Sequence, residues 1–120
     1  MDHDTSTVPH AADTVVARHR AIAERALEAA TCGRPLCRLD DGPGVSRPKY
    51  AEGGLAAVTE LQRALRAAPA ADPAAVTTDL LHQWEAEREA SEERGPAWLA
   101  YRTGGVAQLR EVLSDLVTAR

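Results

Sequence analysis

The sequence predicts an all-α protein, a four-helix antiparallel up-down-up-down bundle with one long loop between the first two helices and a sequence repeat relating the second and fourth. Three observations carry that expectation. Apolar side chains recur at helical spacing in four segments, and no segment alternates with the period of two that a half-buried strand requires. Of the 120 residues, 24 are alanine, the strongest helix former. Proline and glycine gather between the periodic segments, where they stop one helix and start the next.

Residues 1–11 read as a tail, poor in apolar side chains and interrupted by Pro9, with His3 and His10 carrying no pattern. Residues 12–120 form one domain. From Ala12 the side chains Val15, His19, Ile22, Ala26 and Ala29 mark one helical face, with Val16, Ala23, Leu27 and Ala30 alongside, and Gly33 and Pro35 end the first helix. Residues 32–46 hold three glycines and two prolines, so a loop is expected there. A second helix starts near Ser46, with Pro48 in its first turn, and runs to Ala68. Asp72-Pro73 is a cap followed by a first-turn proline, opening a third helix that carries Leu80, Leu81 and Trp84 and runs to Arg94. Gly95-Pro96 divides it from a fourth helix over Ala97–Ala119. Short second and third connections make consecutive helices antiparallel neighbours.

The segment from Tyr50 to Leu65 aligns without gaps on that from Tyr101 to Leu116. Tyr50/Tyr101, Gly53/Gly104, Gly54/Gly105, Ala56/Ala107, Glu60/Glu111 and Leu65/Leu116 are identical pairs, and the shared apolar stripe is one face of a helix. A glycine pair inside a helix costs about 2 kcal/mol against alanine. The compensation expected is close approach of a crossing helix backbone, with the tyrosine one turn earlier covering the seam.

Leu, Val, Ile and Phe together number 22, a thin supply for a core, which adds homodimerisation to the expectations. The excess of Ala, Arg, Gly and Pro over Lys, Asn, Ile and Phe points to a GC-rich bacterial genome. Residues 1–13 carry Asp2, Asp4 and Asp13 with no basic residue and no apolar run after them, so no secretory signal is expected. The expectation is a cytoplasmic protein with reduced thiols and no membrane span.

Cys32 and Cys37 stand as C-x4-C, without the paired C-x2-C or H-x3-H of a strong zinc signature. A metal or small-ligand site would draw on His19, Cys32 and Cys37, with His82 as a further ligand, and a switchable Cys32–Cys37 disulfide is an alternative use of the same thiols. His19, on an apolar helix face, reads first as a hydrogen-bonded core residue. Glu60 and Glu111 lack the Glu-x-x-His pairing of carboxylate-bridged metal bundles and are expected in solvent or beside arginine. Trp84, Trp98 and Tyr101 are expected to fill the core. No phosphate loop, nucleophile elbow, H-E-x-x-H or dinucleotide fingerprint is present, and no cofactor is expected.

Charge divides unevenly. Residues 18–66 carry nine basic and six acidic groups, and residues 67–120 five basic and nine acidic. The first expectation for function is therefore a non-enzymatic helical interaction or regulatory protein. It would bind a protein partner through residues 32–49, with Arg34, Arg38, Asp40, Asp41, Arg47 and Lys49 at the contact. The competing reading is a ligand- or metal-binding bundle, catalytic or not, built on His19, Cys32 and Cys37. A third, a DNA-associated regulator, needs a basic aromatic face; the net charge of −4 argues against nucleic acid.

Overall fold

Proline sets the start of three of the four helices. In the computed structural model, which describes residues 11–31 and 43–119, these are α1 (Ala11–Thr31), α2 (Pro43–Ala67), α3 (Pro73–Ala90) and α4 (Pro96–Thr118), and no strand occurs among the described residues. Pro43, Pro73 and Pro96 each occupy a first position, where the fixed φ suits a helix and the missing N–H has no partner to lose. At α3 the Asp72 carboxylate accepts from the Ala75 N–H at 3.1 Å. Gly95 takes φ 111°, a conformation open to glycine, to turn the chain into Pro96.

Two boundaries differ from the expected ones. α2 begins at Pro43 rather than near Ser46, because Pro43 is itself a good first residue, and the connection after α1 shortens to residues 32–42. Pro48 consequently lies inside α2 rather than in its first turn. α3 ends at Ala90 rather than Arg94. Its C-terminus tightens through bonds from the Ser91 and Glu92 N–H groups to the Arg88 and Glu89 carbonyls, at 3.1 and 3.3 Å. The acidic run Glu85, Glu87, Glu89, Glu92 and Glu93 works against extension, since negative charge is unfavourable at the negative end of the helix dipole.

The start of α1, the end of α2, the start of α3 and the end of α4 meet around a cleft of about 930 Å³. This places the four helices in up-down-up-down order. The interfaces are unequal. α2 and α4, which run the same way, share the most extensive one, while α1 packs mainly on α2 and α3 mainly on α4. The cross-section is therefore a rhombus with α2 and α4 on its short diagonal.

Glycine makes that diagonal short. Gly53 lies against the Tyr101 carbonyl and Gly104 against the Tyr50 carbonyl, so closely that a Cβ on either would overlap the facing backbone. The close approach expected of the glycine pairs is present. The aligned second glycines do different work: Gly105 lies under the Trp84 indole, whereas a Cβ on Gly54 would meet Gln108 at an ordinary 3.5 Å. Below the crossing, Ala57, Val58 and Leu61 of α2 interlock with Val106, Leu109 and Val112 of α4, all at most 1% exposed. Val15 and Val16 close this core from α1, and Leu80, Leu81 and Trp84 close it from α3. Each such side chain contributes about 1.5–3 kcal/mol through burial. The α2–α4 seam forms the centre of the core, with α1 and α3 each adding two aliphatic side chains to it. Among the described residues, no helix is long and apolar enough to cross a membrane.

Candidate functional site

Of the residues expected at a partner contact, Arg34, Arg38, Asp40 and Asp41 lie outside the described residues, as do Cys32 and Cys37. Arg47 is exposed on the first turns of α2, and Lys49 is half-buried with its Nζ 3.0 Å from Glu52. These turns belong to the end of the bundle opposite the cleft, where α1 ends, α2 begins and α3 hands over to α4.

The same end carries the aromatic residues, in a graded arrangement. Trp84 is buried, 3% exposed, with its indole N–H donating to Glu60 Oε1 at 3.0 Å. Tyr101 stacks beside it with ring centroids 5.6 Å apart, and Trp98 meets Tyr101 edge-on at 5.9 Å. Trp98 itself is 42% exposed and Tyr50 46%. The expectation that Trp98 would fill the core is thus corrected. It stands at the third position of α4, beyond the last layer of α2 and α3 side chains that would cover it. Glu60 also departs from expectation: it accepts from a buried indole rather than facing solvent or arginine, whereas its aligned counterpart Glu111 is exposed.

Two arginines dress this aromatic group. The Arg94 guanidinium lies 4.3 Å from the Trp98 ring centroid, and that of Arg102 lies 4.7 Å from Trp84 and 5.4 Å from Tyr101. Arg102 is anchored from α3 by Glu87 at 2.6 Å, while its buried Nε has no hydrogen-bond partner. An edge of indole and phenol, a stacked guanidinium and a free basic side chain at Arg47 together form a surface that offers apolar area and charge-assisted donors.

The third group is at the α1–α4 seam. His19 is buried, with Nε2 2.6 Å from Asp115 Oδ2 and Nδ1 2.8 Å from the Gln108 amide nitrogen. Arg18 approaches the same carboxylate at 3.6 Å. The His19 hydrogen bond, more than the charge of Arg18, holds the Asp115 carboxyl below the ordinary carboxylate range, against the opposing effect of desolvation. Both ring nitrogens are occupied by protein groups, so a metal at His19 would have to displace one of them. His82 is exposed on α3, and among the described residues no three His, Cys, Asp or Glu side chains are grouped as metal ligands.

Sequence reasoning singled out His19 but not its partners. Gln108 and Asp115 are seven residues apart, hence on one face of α4. That spacing was legible. What it could not supply was the identity of the helix opposite. Arg94 and Arg102 were similarly invisible as aromatic partners, since their stacking depends on how α3 meets α4. The charge halves do not simply neutralise each other: Arg102–Glu87 and Arg110–Glu85 pair α4 with α3 inside the acidic half.

No family model, curated protein or solved structure matches this chain at a significant level.

Proposed function

We propose that this chain is a non-enzymatic helical interaction module that binds a protein partner through residues 32–49 and the adjoining helix ends. The observation that carries this reading is Trp98, 42% exposed with Arg94 stacked at 4.3 Å, at the same end of the bundle as Arg47 and Tyr50. Tryptophan, tyrosine and arginine are the side chains that dominate protein–protein hot spots, because they bury large rigid surfaces and add directional donors. Leaving two large aromatics in water has no folding benefit, and a partner that covers them recovers about 25 cal/mol per Å² of apolar area. Both ring nitrogens of His19 are engaged in holding α1 to α4. A small, cytoplasmic regulatory role fits this reading, as does self-association through the same surface.

The test is affinity capture from native extract with the full chain, scored by which retained proteins are lost in variants. The reading expects a defined partner to be retained by the wild type and by Arg110→Ala, and lost with Trp98→Ser/Arg47→Glu and with Arg34→Glu/Arg38→Glu, all with unchanged helicity. Equal capture by every variant overturns it. Native mass spectrometry separates the competing reading, since a retained metal or organic mass would move the function to a ligand site.

A further inference from the structure

His19 is bonded through both ring nitrogens, and the two bonds constrain each other. Asp115 offers only acceptor atoms when ionised, so the 2.6 Å contact places a proton on His19 Nε2. Nδ1 then has two states. In the neutral ring it is bare and needs a donor, which the Gln108 amide nitrogen provides at 2.8 Å. In the imidazolium it carries a proton and needs an acceptor, and the Gln108 amide presents Oε1 after a half-turn about its terminal bond. The oxygen end of the amide faces Gly54, which has no side chain to crowd it; even an added Cβ would remain 3.5 Å away.

We propose that the Gln108 amide turns over when His19 gains a proton, so that the α1–α4 contact keeps two hydrogen bonds in either charge state. While Asp115 stays ionised, the contact adapts to the protonation of His19 instead of opening with it. A backbone N–H bonded to a bare ring nitrogen loses its partner when that nitrogen gains a proton, because it cannot exchange donor for acceptor; a primary amide can. Arg18 of α1 shares the Asp115 carboxylate at 3.6 Å, and Glu111 of α4 is exposed one turn before Asp115. Toward α2, Arg20 is engaged by Gln62 at 2.7 Å and by Glu24 at 3.3 Å, and Arg66 of α2 lines the cleft with Val16.

Nitrogen-15 NMR of the full chain across a pH titration tests this directly. The expected result is an Nε2-protonated ring at high pH, and a Gln108 side-chain NH₂ signal that moves with the same midpoint as the His19 nitrogens. The NH₂ signals of Gln62 and Gln83 serve as controls. Gln108→Leu removes the bond to the neutral ring and the stronger, charge-assisted bond to the imidazolium, so the His19 midpoint falls by the difference, up to about one pH unit or a tenfold loss of proton affinity. Gln108→Glu, the closest isostere, raises it. A Gln108 signal that stays fixed while His19 titrates overturns the proposal. So do variants that titrate like the wild type, and so does a His19 that takes up no proton while the chain remains folded.

Discussion

Gly104 and Tyr50 meet backbone to backbone, the glycine lying so close under the tyrosine carbonyl that no side chain fits between them. Gly53 and Tyr101 repeat the contact from the other helix. Alanine at either glycine would gain about 1 kcal/mol of helix propensity and lose more to overpacking, which typically costs about 1–3 kcal/mol and is at its worst against unyielding backbone. Gly53→Ala and Gly104→Ala are therefore expected to lower the urea midpoint, by a net of about 2 kcal/mol each. Gly54→Ala is expected to raise it by up to about 1 kcal/mol, because its Cβ has ordinary clearance. Equal behaviour at Gly53 and Gly54 would contradict the crossing described here.

Acid should loosen the α1–α4 seam through Asp115. Its carboxyl is held below the ordinary 3.8 by the His19 hydrogen bond and by Arg18. A group whose folded value is depressed contributes stability that is complete above its unfolded value and lost as pH falls through the folded one. The wild type should thus lose stability below about pH 4 more steeply than Asp115→Asn, which lacks the titrating group. Urea midpoints measured between neutral pH and pH 2 check this, and parallel curves would remove Asp115 from the account.

Glu60 accepts the hydrogen bond of a buried indole N–H, that of Trp84. Glu60→Ala leaves Trp84 Nε1 without that acceptor in a site where only 3% of the residue is exposed. Stranding a buried donor costs about 1–3 kcal/mol. Glu60→Gln keeps an acceptor oxygen and should recover most of the loss. Thermal or urea unfolding of the two variants distinguishes them.

The two tryptophans should answer differently to a soluble quencher. Trp98 is 42% exposed and Trp84 3%, so acrylamide should quench the wild type in two components. Trp98→Phe should remove the accessible component and leave a blue-shifted, protected emission. A single intermediate quenching constant would place Trp98 inside the core after all.

Capping gives a local check on α3. The Asp72 carboxylate satisfies the Ala75 N–H, and replacing such a cap with alanine costs about 1 kcal/mol. Asp72→Asn should be nearly neutral by comparison, and denaturant midpoints of the two variants decide.

Helix existence was legible because it rests on local chemistry. Pro73 and Pro96 after Asp72 and Gly95 announce two helix starts whatever surrounds them, and the 3.6-residue spacing of Val58, Leu61 and Leu65 names a buried face. The end of α3 was misjudged because Arg88 to Arg94 are all tolerable in a helix. Glu89, Glu92 and Glu93 at its negative pole disfavour extension, a collective effect that residue-by-residue propensity misses. Trp98 was misplaced for a related reason: its face is the apolar one, but it sits past the end of the helices that would have covered it.

By itself, then, the sequence determined four helices, their order, and that glycine pairs at 53–54 and 104–105 invite a close crossing. Those properties follow from backbone propensity and periodicity, which act within about one turn. On α1 the expected stripe holds at Val15 and His19 but not at Ile22, Ala26 and Ala29, which are exposed while Val16 and Ala23 are buried. Only the tertiary structure decided that α2 and α4 form the short diagonal, that Gly54 and Gly105 meet different neighbours, that His19 is clasped by Gln108 and Asp115, and that Trp98 is left at the rim. Each of these depends on which helix stands opposite. A face can be read from one segment, but its partner is chosen by how all four pack at once.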